Sequence, residues 1–161
     1  MDFRIPFGVR GHKYTEEEIA TTVAVMHGEA PLTQGACLHE FESRFRRYAG
    51  VEHAFAVSSA TAALEIAAQL CQFETDDEVI IPAHTYTSSA YPFVKAGATP
   101  VWADIDPDTR VVTPETISAC ISSRTRAVVV PHLYGYGVDM TPIMALAEER
   151  QIIVIEDAAQ A

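Results

Sequence analysis

Four consecutive β-branched residues, Ile152 to Ile155, run directly into Glu156 and Asp157. A short apolar run without polar alternation fits a strand buried on both faces, as in a parallel sheet. Parallel strands cannot be joined by hairpins, so such a run calls for crossover helices and sister strands upstream. The two acids fall at the carboxyl end of the strand, where open α/β sheets bind their ligands. A carboxylate there is costly unless a cation or several donors meet it. A partner for this acid pair is therefore expected.

The upstream chain from residue 51 has the required rhythm. His53 to Val57 reads as a strand, and Ala62 to Leu70 as a helix. Glu78 to Ile81 reads as a second strand stopped by Pro82, and Tyr86 to Lys95 as a helix ended by Gly97. Thr99 to Ala103 is a third strand, followed by a polar loop over 104–109. A helix over Pro114 to Ile121 has Thr113 as its N-cap. Ala127 to Val130 is a fourth strand bounded by Pro131, Met140 to Arg150 a helix, and Ile152 to Ile155 the fifth strand. Alternation of this kind predicts an α/β fold, a mainly parallel sheet with helices on both faces.

The first fifty residues read differently. Residues 1–14, with Gly8 and Gly11, form an arm. Thr15 and Glu18 have capping-box spacing ahead of Ile19, Val23 and Met26, and Gly28 ends that helix. An extended piece over 30–35 follows. A second helix begins near Cys37 with Leu38, Phe41, Phe45 and Tyr48 on one face, closed by Gly50. Arg44, Arg46 and Arg47 could grip a phosphate, but a solvated face pairing with Glu40 and Glu42 is the simpler expectation. The predicted organisation is an arm and two helices over 1–50, then an α/β domain over 51–161.

Composition narrows the function. The formal net charge is −11, which disfavours nucleic acid as a partner. Met1 is followed by Asp2, Arg4 and Pro6 with no apolar stretch, so no signal peptide is expected, and no run reaches the length of a membrane helix. Cys37, Cys71 and Cys120 are odd in number and match no zinc or redox spacing. Free thiols in a reducing cytoplasm are the expectation.

Three junctions carry chemistry. Ser58-Ser59-Ala60-Thr61 puts hydroxyls and free N–H groups at a helix N-terminus, an anion site, although the same residues serve as ordinary caps. Tyr86 follows the second strand, where an aromatic can stack on a flat ring; taken alone, it also reads as core. Glu156-Asp157 can pair with a heterocyclic cation or merely cap a helix. His84 and His132 read as structural, since neither shows a base–orienter pair. No GxGxxG follows any strand, which weighs against a dinucleotide fold. A phosphorylated aromatic heterocycle with a basic ring nitrogen satisfies all three junctions at once. Pyridoxal 5'-phosphate is such a molecule, and a carboxylate beside its ring nitrogen maintains the electron sink.

The ordered segments PLTQG, FESRF, GVEHAFAVSSATAALEIA, DEVIIPAHTYTSSA, GATPVWADIDPDT, SSRTRAVVVPHLYG and IEDAAQA resemble the DegT/DnrJ/EryC1/StrS family. That resemblance implies a fold type I, pyridoxal-phosphate-dependent aminotransferase, of which this chain forms part of the large domain. It implies transfer of an amino group, commonly from glutamate, to a keto sugar nucleotide, in a homodimer. It also implies roles: Ser59, Ala60 and Thr61 at the cofactor phosphate, Tyr86 on the pyridine ring, Asp157 at the ring nitrogen, and Gln160 at the phenolic oxygen. His132 falls in a family motif near the site. Many relatives carry Gly where this chain has Ala60, and the added methyl restricts close backbone approach.

Family chemistry needs a lysine for the Schiff base. The chain has two, Lys13 and Lys95, and neither has the family context, which lies beyond EDAAQ. The chain is accordingly expected to be the N-terminal part of such an enzyme, and inactive in isolation. A dehydratase of the same family, with histidine in the lysine position, is the nearest alternative. A non-catalytic binding relic is another, and an unrelated nucleotide-binding module is the least supported.

Overall fold

Side chains of consecutive strand residues point to opposite faces, and the two apolar clusters of this protein follow that rule. The computed structural model describes residues 13–29, 31 and 33–161. Most of the predicted arm, residues 1–12, and Ala30 and Leu32 of the predicted extended piece lie outside them. The chain divides into two units, Met1–Ala56 and Val57–Ala161.

The first unit holds α1 (Glu16–His27) and α2 (Ala36–Ala49). Thr15 and Glu18 form the reciprocal capping box expected of them. Gly50 ends α2 in the left-handed conformation, φ 67°. Arg44 pairs with Glu40, as a solvated face should, whereas Glu42 accepts the Ala56 N–H at 2.9 Å. The apolar stripe of α2 is real, but neither helix buries a residue, and Phe41, Phe45 and Tyr48 remain exposed among the described residues.

The second unit runs α3 (Ala60–Leu70), β1 (Glu78–Pro82), a 3-10 turn (Thr87–Ser89), α4 (Tyr91–Lys95), β2 (Thr99–Ala103), α5 (Pro114–Ser118), β3 (Thr125–Pro131), a second 3-10 turn (Leu133–Gly135), α6 (Met140–Arg150) and β4 (Ile153–Asp157). The four strands are all parallel, in the order β2-β1-β3-β4. Val79, Ile81, Ala127 and Val129 pack with Leu64, Ala68, Phe93 and Ala98 on the α3/α4 face. Ile80, Val128 and Val130 pack with Ile117, Ile143 and Ala147 on the α5/α6 face. Helices thus cover both faces, as the alternation predicts.

Three expectations are corrected. His53 to Val57 is not a strand. A strand needs a neighbour to take its backbone groups, no described strand pairs with this segment, and Phe55 is 78% exposed. The sheet therefore has four described strands rather than five. The helix over 86–95 is broken into a 3-10 turn and a short α4, because Pro92 has no N–H to give the Ser88 carbonyl. Finally, β4 is only half-buried rather than buried on both faces, because it is an edge of the described sheet.

At the amino end of the sheet, the Glu78 side chain is anchored by Ser122 Oγ and by Arg124 at the start of β1. The Ser122 hydrogen bond, helped by Arg124 and opposed by burial, holds its pKa below the ordinary 4.5. A depressed folded value means stability that is present above the unfolded value and lost as pH falls through the folded one. Chemical-denaturation midpoints should therefore drop as pH falls below about 4.5, and less steeply in Glu78→Gln. Parallel profiles for the two proteins would refute this role.

Candidate active site

A parallel sheet gathers its loops at the carboxyl edge, and ligands bind where successive crossovers leave in opposite directions. Here the crossover from β1 through α4 leads to β2 on one side, and the crossover from β3 through α6 leads to β4 on the other. The reversal lies between β1 and β3. A cleft opens at that edge, lined by Thr85, Tyr86 and Ser89 after β1, His132 after β3, Asp157 at the end of β4 and Gln160 beyond it.

Asp157 is the last residue of β4, and Pro131 of β3 is its register partner. The Asp157 carbonyl accepts the His132 N–H at 3.0 Å, extending the ladder one step past the strand. Its carboxylate is held from two sides. Ser89 Oγ donates to Oδ2 at 2.7 Å, and the Ala159 N–H donates to Oδ1 at 3.2 Å. These donors answer the question posed by the acid pair, at least for its second member. Among the described residues no Lys or Arg lines the cleft, so Asp157 faces it without a protein cation.

Glu156 has a different fate. Strand alternation puts it on the α5/α6 side, where it meets His132 Nε2 at 2.8 Å. Nδ1 of the same ring accepts the Val138 N–H at 3.0 Å. An acceptor nitrogen carries no proton, so Nε2 carries it and donates to Glu156. At 7% exposure, His132 is a strut tying the second 3-10 loop to β4. That is the structural role expected of it, although the ring also borders the cleft. His84 lies beside Tyr134, with ring centroids 6.2 Å apart.

Gln160 Oε1 accepts the Tyr134 N–H at 2.8 Å. Tyr134 is left-handed, φ 56°, and Gly135 follows at φ 81°. With Oε1 engaged, the Nε2 amide of Gln160 is the end left to donate to a ligand. Tyr86 is 64% exposed rather than core, so its ring is available at the cleft.

Ser59, Ala60 and Thr61 start α3. Ser59 is the N-cap, its Oγ accepting the Ala62 N–H at 3.2 Å. The N–H groups of Ala60 and Thr61, in the first turn, have no intrahelical carbonyl to bond. The three do not line the cleft, although α3 packs on both β4 and the 87–89 turn. The structure thus brings Tyr86, Asp157 and Gln160 together and leaves the proposed phosphate donors outside that lining. Lys95 is tied to Glu65 at 3.0 Å, away from the cleft. Sequence reasoning passed over Ser89 and Thr85 because both fell in or beside a segment read as one continuous helix. Among the described residues no cluster suited to a metal ion occurs, and no helix is long and apolar enough to cross a membrane.

Residues 12–161 match the DegT/DnrJ/EryC1/StrS aminotransferase family. The GDP-perosamine synthase of Caulobacter vibrioides is 42% identical over 127 residues, 79% of this chain and 34% of that protein. An aminotransferase from Psychrobacter cryohalolentis superposes with a TM-score of 0.86 at 35% identity, over 97% of this chain and 40% of that one. A Streptococcus pneumoniae protein assigned as a sugar aminotransferase, in its PMP form, superposes with a TM-score of 0.85 at 29% identity, over 92% of this chain and 41% of that one. The chain spans 28–34% of the length of the curated relatives it matches.

Replacing His132 with alanine removes the acceptor of the buried Val138 N–H and the donor to Glu156. An orphaned buried group costs about 1–3 kcal/mol, so urea unfolding of His132→Ala should show a loss of that order. An unchanged midpoint would mean the strut carries no load.

Proposed function

The chain belongs to the DegT/DnrJ/EryC1/StrS aminotransferase family, and from that premise we propose that its cleft holds pyridoxal 5'-phosphate. The whole protein would transfer an amino group from glutamate to a keto sugar carried on a nucleotide. The observation that carries the reading is the Asp157 carboxylate, fixed by two donors and facing the cleft with no Lys or Arg among the described residues that line it. A carboxylate so placed calls for a cationic ligand, and a protonated ring nitrogen is one that also suits the exposed ring of Tyr86. The residues present fit the cofactor on chemical grounds.

When bound, the cofactor supplies the electron sink that amino transfer requires. Asp157 holds the proton on the ring nitrogen. Tyr86 would stack on the ring. Gln160 donates through Nε2 to the phenolic oxygen, its Oε1 being occupied by Tyr134. The Ser59 hydroxyl and the N–H groups of Ala60 and Thr61 would hold the phosphate, helped by the positive end of α3. The Ala60 methyl makes that approach less close than glycine would. The working unit in this reading is a cytoplasmic homodimer.

Amino transfer needs a base to move the proton between carbon atoms, and neither Lys13 nor Lys95 lines the cleft. The reading therefore assigns that role to a lysine outside these 161 residues. Two measurements test it. Asp157→Asn in the full-length protein should lower kcat/KM about a hundredfold or more, the order expected when a preorganised charge is lost. The isolated 161-residue polypeptide should show no turnover with glutamate and a keto sugar nucleotide. Full activity in the asparagine variant would remove Asp157 from the mechanism, and turnover by the isolated chain would remove the need for a lysine outside it.

A further inference from the structure

We propose that Ser89 is a positioning residue for the Asp157 carboxylate, with Thr85 aiming it. The inference rests on the cofactor reading above. Ser89 is 1% exposed, yet its hydroxyl lies 2.7 Å from Asp157 Oδ2 across 68 residues of sequence. Chemistry fixes the direction of the bonds. An ionised carboxylate can only accept, so the Ser89 proton goes to Oδ2. The Ser89 oxygen then accepts from Thr85 Oγ1 at 3.0 Å. Each hydroxyl has one proton, and both protons point toward Asp157. A donor that is itself accepting a hydrogen bond is polarised and bonds more strongly.

A buried serine has nearer partners. Its hydroxyl commonly bonds a backbone carbonyl three or four residues back. Ser89 instead bonds the side chain of a strand-end acid, and both residues border the same cleft. Together with the Ala159 N–H on Oδ1 at 3.2 Å, it clamps the carboxylate plane from two sides. A ring nitrogen arriving from the cleft meets an acceptor that has no rotation left to lose, which is preorganisation. The broken helix has a purpose in this light. A continuous helix over 86–95 would carry Ser89 on a regular helical surface, whereas the 3-10 turn delivers it inward.

The test uses the full-length protein freed of its cofactor and two ligands. One is pyridoxamine 5'-phosphate; the other is its carbocyclic analogue, in which C–H replaces the ring nitrogen. Dissociation constants are measured by calorimetry for the wild type, Ser89→Ala and Ser89→Thr, with thermal melts alongside. The wild type should prefer the pyridine. Ser89→Ala should bind pyridoxamine phosphate roughly tenfold more weakly, the scale of one hydrogen bond to a charged group. It should leave the carbocyclic analogue unaffected, since that ligand makes no bond to Asp157. Ser89→Thr, which keeps the hydroxyl, should restore the preference. Equal losses on both ligands would make Ser89 merely structural and overturn the inference. A wild type that prefers the pyridine, with an alanine variant that prefers it just as strongly, would overturn Ser89 alone. A wild type that does not distinguish the ligands would overturn the cofactor reading with it.

Discussion

The pairing of β3 with β4 is the constraint on which the cleft depends. Register sets Pro131 opposite Asp157, and the next step of the ladder joins the His132 N–H to the Asp157 carbonyl. A slip of one residue would exchange the faces of every β4 side chain. Glu156 would then turn to the α3/α4 side and Asp157 to the α5/α6 side. The two adjacent acids are chemically alike, so the register alone decides which meets His132 and which lines the cleft.

Much of this was readable from the chain. The βα alternation from Glu78 onward, the caps at Thr15 and Thr113, and the extent of α6 follow from periodicity and local capping, which sequence reports directly. The acid at the strand end and the aromatic after β1 were readable too, because position along a parallel strand implies position at its carboxyl edge. What stayed hidden depends on other parts of the chain. Whether HAFAV becomes a strand is decided by a neighbour, and its own pattern says nothing of one. The inward turn of Ser89 hangs on a missing N–H at Pro92, and its contact with Asp157 spans most of the second unit. The Glu156–His132 pair is equally non-local. Periodicity assigned α2 an apolar face but could not say what covers it, and Phe41, Phe45 and Tyr48 are exposed in the unit described.

The cleft also shows how little of a site needs dedicated architecture. Its polar groups come from three loop starts that any parallel sheet would bring together. Two of them, Ser89 and Ala159, act through Asp157 alone. The other ionisable groups nearby are engaged elsewhere, Glu156 by a hydrogen bond from His132 and Lys95 by its pairing with Glu65. One carboxylate is left uncompensated at the place where the topology makes room for a ligand.

The left-handed turn at Tyr134 has a thermodynamic corollary. A non-glycine residue in that conformation costs on the order of 1–2 kcal/mol, and here the Tyr134 N–H bond to Gln160 helps to offset it. Loop and glutamine therefore form one linked element. A ligand that draws on the free amide of Gln160 also stiffens the turn, and by reciprocity anything that stiffens the turn raises affinity for that ligand by the same factor. Gly135, at φ 81°, continues that turn in a conformation that residues with a Cβ rarely adopt.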